Sequence, residues 1–213
     1  MVLGVPRGGL AVAYPIARTL SAPLDALLAR TLTVSRGGAD VGVGVVAPGG
    51  VRVIDGAALD KHGIEPDELD RVTTEASLEL ARLEHEYHGD HDRVDVRGHT
   101  VIVVDEALPT SDSITSSIMA LRQQGAARVV VAVPVAAAET CRSLAGEADE
   151  VVWVVSTDSG FSPAAWYEDF DPVSDEVVRH LLERGREDAR TALALGWQRS
   201  SAPSFTSLSP ERA

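Results

Sequence analysis

Two adjacent carboxylates follow a short run of strand-forming residues near the middle of the sequence. The segment VIVVDEALPTSDS places Asp105 and Glu106 directly after four β-formers, and hydroxyl residues follow where the next helix is predicted to begin. Carboxylates that leave a strand can accept hydrogen bonds from neighbouring ribose hydroxyls, while free amides and hydroxyls at a helix N-terminus can hold a phosphate. The segment therefore predicts a sugar-phosphate site. A structural role is the alternative, in which Asp105 ends a strand and Ser111 or Asp112 caps a helix.

The elements that must position this loop alternate along the chain. Valine-rich runs predict strands at residues 2–5, 24–32, 41–46, 51–54, 101–104, 129–133 and 151–155. Apolar residues at helical spacing predict helices at 10–20, 66–88, 114–121, 137–144 and 172–184. Strands alternating with helices are typical of an α/β, doubly wound, mainly parallel sheet, whose ligands bind beyond the carboxyl ends of the strands. We therefore expect the chemistry in the loops after Val5, Leu32 and Val104.

Composition limits the classes of function. The 213 residues are 45% hydrophobic and carry a formal net charge of -13, so a packed core is expected and a general nucleic-acid-binding role is not. The longest apolar run, 129–138, is too short for a membrane span, and the start of the chain shows no signal-peptide pattern. The single cysteine, Cys141, excludes a disulfide framework, and a cytoplasmic location is expected.

The histidines of the segment HEYHGDHD raise the question of a metal site. His85 and His88 share a helix face, but Gly89 is predicted to end that helix before His91. A solvated helix end is the favoured interpretation, and we expect no metal held directly by side chains.

Several segments together resemble the type I phosphoribosyltransferases. The loop at 101–113 is similar to the phosphoribosyl-pyrophosphate (PRPP) motif of one branch, which reads roughly VDDGLATGAT. The segments VPRGGLAVAYPIAR, DVRGHTVIVVDE, ARVVVAVPVAAAETC and WYEDF resemble the same branch, and the similarity runs from about residue 2 to residue 178. The resemblance implies the fold of that family, with a small hood and long helix at about 48–89, in one domain spanning 1–197. Residues 198–213 are expected to form a flexible tail.

The resemblance also implies an activity: transfer of a phosphoribosyl group from PRPP, with Mg²⁺, to a nitrogenous base or similar acceptor, with release of pyrophosphate. Carried over by position, Asp105 and Glu106 would be the catalytic pair that binds the ribose hydroxyls. The PRPP- and pyrophosphate-binding set would be Pro6, Arg7, Gly8, Gly9, Arg30, Ala107, Leu108, Pro109, Thr110, Ser111, Asp112 and Ser113. Trp166 and Tyr167 could stack on the base, or simply cover the core. The expected partners are a small phosphosugar and a base, and a homodimer is possible by resemblance.

The sequence departs from the family pattern inside this site. Glu106 replaces an aspartate, Ala107 and Ser111 replace glycines, and Thr31 stands where relatives carry the lysine of RKLG. A one-ångström displacement of a reacting group can cost about a hundredfold in rate. The alternative is therefore a catalytically degenerate member of the fold that binds a nucleotide or phosphosugar as a regulatory protein.

Overall fold

The computed structural model describes residues 1–108, 110, 112–158 and 160–194, and only the backbone of Asp112 and Ser113. The predicted tail lies outside these residues. In chain order the elements are β1 (Val2–Gly4), α1 (Gly8–Thr19), β2 (Leu24–Ala26), β3 (Arg30–Arg36), β4 (Ala39–Ala47), β5 (Val51–Ile54), α2 (Gly56–His62), α3 (Pro66–His88), β6 (Thr100–Val104), β7 (Ala107–Leu108), α4 (Asp112–Gln123), β8 (Arg128–Ala137), α5 (Ala138–Leu144), β9 (Glu150–Thr157), a 3₁₀ turn (Pro163–Trp166) and α6 (Asp175–Ala194). Among the described helices, none combines the length and apolar character that crossing a bilayer requires.

A parallel sheet forms the centre of the molecule. β1 pairs with β2 on one side and β6 on the other, and β6 pairs with the first half of β8. Val135 and Ala136 of β8 pair with both β7 and β9, so these two strands lie on opposite edges of β8. All of these pairings are parallel, which confirms the predicted fold class.

Helices cover both faces of this sheet. Alternate residues of the central strands face different cores: Val2 and Val104 pack with α1 and α6, whereas Val101 and Val103 pack with α4 and α5. These four valines are completely buried. Strands enclosed in this way must be apolar on both faces, which explains the continuous valine runs of the sequence.

A second, antiparallel sheet of β3, β4 and β5 lies beside the first. The single strand predicted at residues 24–32 is wrong. The chain forms β2 in the parallel sheet, leaves it after Ala26, and starts β3 in the antiparallel sheet at Arg30. Because the whole stretch is apolar or β-forming, its composition does not show where the chain changes sheet.

Helix α3 packs against β3 and β4 of the antiparallel sheet. It begins at Pro66 and ends before Gly89, as predicted, and its buried face carries Val72, Leu80 and Tyr87. Three other predicted boundaries are wrong by three residues or more. α6 begins at Asp175 rather than 172 and continues to Ala194, and β8 continues past 133 to Ala137.

Candidate functional site

The acidic pair lies where β6 ends, at the carboxyl edge of the parallel sheet. Asp105 and Glu106 are both half-buried, and the Glu106 backbone N–H donates to Asp105 Oδ1 at 2.8 Å. Burial, followed by the nearby Glu106 carboxylate, raises the pKa of Asp105 to about 8. At neutral pH the pair therefore holds one proton. A bound cation would displace this proton, and a hydroxyl group would replace it as the hydrogen-bond donor to the carboxylates.

The turn Pro6–Arg7–Gly8–Gly9 packs directly against this pair. The Val5 N–H donates to the Val104 carbonyl at 2.8 Å, which joins the two loops at their bases. A Cβ at Gly8 would collide with the Glu106 carboxylate, and a Cβ at Gly9 would lie 2.7 Å from the Val104 carbonyl oxygen. Gly9 is thus required by a backbone contact between the two loops before any ligand is considered, whereas at Gly8 the obstacle is the movable end of a side chain.

Arg7 of this turn is held by the first turn of α6. Its guanidinium donates to both carboxylate oxygens of Asp175, at 2.8 and 3.0 Å. The Tyr87 hydroxyl donates to the same carboxylate at 2.7 Å. Hydrogen bonds from Tyr87 and Arg7 lower the pKa of Asp175, while burial raises the pKa of Tyr87 to about 12. The Arg7 side chain remains half exposed, so it can still be reached by an anion.

A cleft of about 630 Å³ opens beside the turn. Its walls are Pro6 and Arg7 of the turn, residues 27–31 and Thr33 where the chain leaves β2 and begins β3, and one face of α3. Three arginines line it: Arg7 from the turn, Arg30 from the start of β3 and Arg82 from α3. Ile114 and Ser117 of α4 also line it. The cleft therefore joins the loop after Val5 to the connection between β2 and β3. The loop predicted after Leu32 is wrong, because Leu32 lies inside β3.

The rest of the predicted phosphate loop is described only in part. Ala107 and Leu108 form β7, where their side chains are buried and they pair with β8. Thr110 is exposed, and α4 begins at Asp112 with Ser113 as its second residue. Pro109, Ser111 and the side chains of Asp112 and Ser113 lie outside the described residues.

An aromatic segment lies over the acidic pair. The Tyr167 hydroxyl donates to the Glu106 carbonyl at 2.5 Å, and its ring lies 5.2 Å from that of Phe170. Burial and the charges of Glu106 and Asp105 raise the pKa of Tyr167. Trp166 is about half exposed, at 47%. The structure thus brings Tyr167 to the predicted pair and leaves the indole of Trp166 accessible.

Comparison with known proteins identifies the family. Residues 1–169 match the phosphoribosyl transferase domain. The chain belongs to this family. Two curated proteins from Mycobacterium tuberculosis strains CDC 1551 and H37Rv, each named "Putative phosphoribosyl transferase", are 31% identical to it over 195 residues, 92% of this chain and 44% of theirs. The chain thus spans less than half the length of these relatives. The crystal structure of TT1426 from Thermus thermophilus is similar, with a TM-score of 0.77, 34% identity and 86% coverage of each chain.

Four residues that hold Arg7 or line the cleft were not predicted as part of the site. Tyr87 and Asp175 hold Arg7, and Glu79 and Arg82 line the cleft. In the sequence, Tyr87 is recognisable only as one member of an apolar helix face. Asp175 lies in a first helical turn, where an aspartate is ordinarily explained by its favourable interaction with the helix dipole. Glu79 and Arg82 resemble any solvated pair on an acidic helix. Their place in the site depends on how α3 packs, which the sequence does not show.

The described residues contain no group of three or more His, Cys, Asp or Glu side chains arranged to hold a metal. The acidic pair nevertheless suits a hard divalent cation, because Asp105 and Glu106 are adjacent in the chain and supply carboxylate oxygens, the ligands that such a cation prefers. Mg²⁺ is commonly held by one or two carboxylates together with water and substrate oxygens.

Proposed function

We propose that the chain binds PRPP together with Mg²⁺ and transfers the phosphoribosyl group to a nitrogenous base or similar nucleophile. The observation that carries the proposal is the contact between the acidic pair and the PRGG turn, together with an arginine-lined cleft that Pro6 and Arg7 of the same turn help to form. The same turn thus contacts the acceptors for sugar hydroxyls and contributes Arg7 to the cleft that holds donors for a polyphosphate.

Each part of this surface has a role in the proposal. Asp105 and Glu106 accept hydrogen bonds from the two ribose hydroxyls and fix the sugar beside the turn. The N-terminus of α4, with Thr110, Ser111 and Ser113, holds the 5′-phosphate. Arg7 and Arg30, with the amides of Gly8 and Gly9, hold the pyrophosphate, and residues 107–109 and Asp112 complete the loop. Mg²⁺ bound with PRPP would supply the charge that neutralises pyrophosphate oxygens and so would improve the leaving group.

The reaction exchanges one bond at the anomeric carbon. The bond from this carbon to the pyrophosphate oxygen breaks, and the electron pair leaves with pyrophosphate. The bond from the acceptor nitrogen to the same carbon forms, and the acceptor loses a proton. The positive charge that develops on the ribose is stabilised by the carboxylates beneath it. Trp166 and Tyr167, next to the acidic pair, are proposed to stack on a planar acceptor.

Titration calorimetry with PRPP and Mg²⁺ tests the proposal. We expect micromolar binding that Asp105→Ala abolishes, and release of pyrophosphate when a panel of purine and pyrimidine bases is added. Asp90→Ala changes an exposed carboxylate outside the site and serves as the matched control. Absence of binding by the wild type, unchanged after Ser111→Gly with Ala107→Gly, would contradict the proposal.

A second candidate is a phosphosugar-binding protein without turnover. The observation that favours it is that Arg7, Arg30 and Arg82 are all paired with carboxylates of the same chain. The same calorimetry separates the two candidates, because a binding protein would take up PRPP and release no pyrophosphate with any acceptor.

A further inference from the structure

The arginine-lined cleft contains a carboxylate that occupies the place of an anion. Glu79 of α3 accepts a hydrogen bond from Arg30 at 3.1 Å. It also accepts two from Arg82, at 2.9 Å each. One oxygen of this carboxylate, Oε1, thus accepts from arginines of two different elements, and the other, Oε2, accepts from Arg82. A phosphate group is recognised by arginine through the same fork of donors, so Glu79 and a phosphate compete for the same groups.

The cleft-facing side of α3 makes this arrangement possible. Four residues of α3 line the cleft: Glu79, Arg82, Leu83 and Tyr87. The last three follow Glu79 by three, four and eight positions, so all four lie on one face of the helix. Thr31 lines the same cleft from β3. The resemblance places a lysine at the position of Thr31. The cation that β3 lacks there has a counterpart on α3, the guanidinium group of Arg82.

The charges of the cleft balance without a ligand. Arg30 and Arg82 face Glu79, and Glu86 also accepts from Arg82 at 2.5 Å. Hydrogen bonds from Arg82 and the charges of both arginines lower the pKa of Glu79. Arg30 keeps one buried donor, its Nε–H, for which the described residues supply no acceptor. An anion that displaced Glu79 would gain two guanidinium groups and could satisfy that remaining donor.

We propose that Arg30 and Arg82 form an oligophosphate site, with Arg82 supplying the charge absent at Thr31, and that Glu79 closes this site until the ligand displaces it. The inference rests on the proposed function for the identity of the natural ligand, the pyrophosphate group of PRPP. The site itself requires only an anion with two or more phosphate oxygens.

The test is calorimetry of the full chain with inorganic pyrophosphate and Mg²⁺. Arg82→Ala should weaken binding roughly tenfold to a hundredfold, the loss expected for a charged hydrogen bond. Adding Thr31→Lys to Arg82→Ala should restore most of the affinity.

Glu79→Gln, which removes the competing charge but keeps the side-chain shape, should bind more tightly than the wild type by about threefold or more. Arg71→Ala is the matched control, because Arg71 lies on the same helix, pairs with Glu75 at 2.9 Å and does not line the cleft.

The outcomes separate this inference from the proposed function. Equal binding by Arg82→Ala and the wild type, or weaker binding by Glu79→Gln, would overturn the inference even if PRPP were still turned over. Binding of pyrophosphate that depends on Arg82, without any transfer from PRPP, would support the oligophosphate site and reject the transferase. Melting temperatures of all variants, measured alongside, show whether a loss of binding reflects a loss of folded protein.

Discussion

At the scale of single residues, the half-buried acidic pair makes stability depend on pH. The pKa of Asp105 is about 8 in the folded chain, against about 3.9 in an unfolded one. A carboxyl with a raised folded pKa favours folding while it is protonated. Its contribution is complete below the unfolded pKa and is lost as pH rises through the folded pKa.

Asp105→Asn should therefore stabilise the protein increasingly over the wild type as pH rises from about 4 to about 8, since the amide carries no charge to bury. Urea midpoints at about pH 5 and about pH 8.5 measure the difference. Asp90→Asn, at an exposed turn, should show no comparable trend. A difference between Asp105→Asn and the wild type that stays constant with pH would refute the burial of a proton at this site.

The two glycines of the PRGG turn should respond differently to one added methyl group. At Gly8 the methyl meets the end of the flexible Glu106 side chain, whereas at Gly9 it meets the Val104 backbone oxygen, which cannot move freely. Gly9→Ala should cost about 1–3 kcal/mol of unfolding free energy. Gly8→Ala should cost much less and should instead weaken Mg²⁺–PRPP binding, because the Glu106 carboxylate is displaced. Chemical denaturation and calorimetry of both variants check this, and an equal loss of stability would contradict it.

At the scale of elements, most strands and helices of the parallel sheet were predictable because each carries a regular apolar pattern. β7 was not, because its two residues lie in the segment that the sequence assigned to a loop. Residues 24–32 were not, because an uninterrupted apolar stretch gives no sign of the change of sheet at Leu27. The site divides in the same way. The sequence singled out Asp105, Glu106 and the PRGG turn, since they follow strands directly, but α3 and α6 reach the site only through tertiary packing.

The contact among Arg7, Tyr87 and Asp175 ties α1, α3 and α6 together at the site. Tyr87→Phe removes the hydroxyl that donates to Asp175 while preserving the buried ring. We expect a loss of roughly 0.5–1.5 kcal/mol in unfolding free energy, the usual net value of one hydrogen bond. Urea denaturation measures it, with Tyr14→Phe as the comparison, because the Tyr14 hydroxyl donates to Asp188 of α6 away from the cleft. An unchanged Tyr87→Phe midpoint would show that Asp175 finds another donor.

At the scale of the whole molecule, the two sheets are joined by polar as well as apolar contacts. The histidine segment contributes one of them, and its interpretation from sequence as a solvated helix end is wrong for His88. His88, the last residue of α3, is 5% exposed and its Nε2 lies 2.7 Å from Asp25 Oδ1. Asp25 belongs to β2 in the parallel sheet and also accepts from the backbone of Ala26 and Val94. One buried carboxylate thus links α3, β2 and the segment that leads into β6.

Removing this carboxylate should loosen the connection between the two halves of the fold. Asp25→Ala leaves the Val94 N–H and the His88 ring without their acceptor in a buried place, and breaking a buried pair in this way costs about 3–5 kcal/mol. Asp25→Asn retains one acceptor oxygen and should lose less. His85→Ala, which changes an exposed histidine in the same last turn of α3, should leave the urea midpoint unchanged.

Hydrogen exchange at the end of α3 and in residues 94–97 should accelerate in Asp25→Ala before exchange in β6 and β8 does, because those strands remain enclosed by α4 and α5. Uniform acceleration across the whole chain would instead show that the pair supports the fold globally and does not specifically fasten α3.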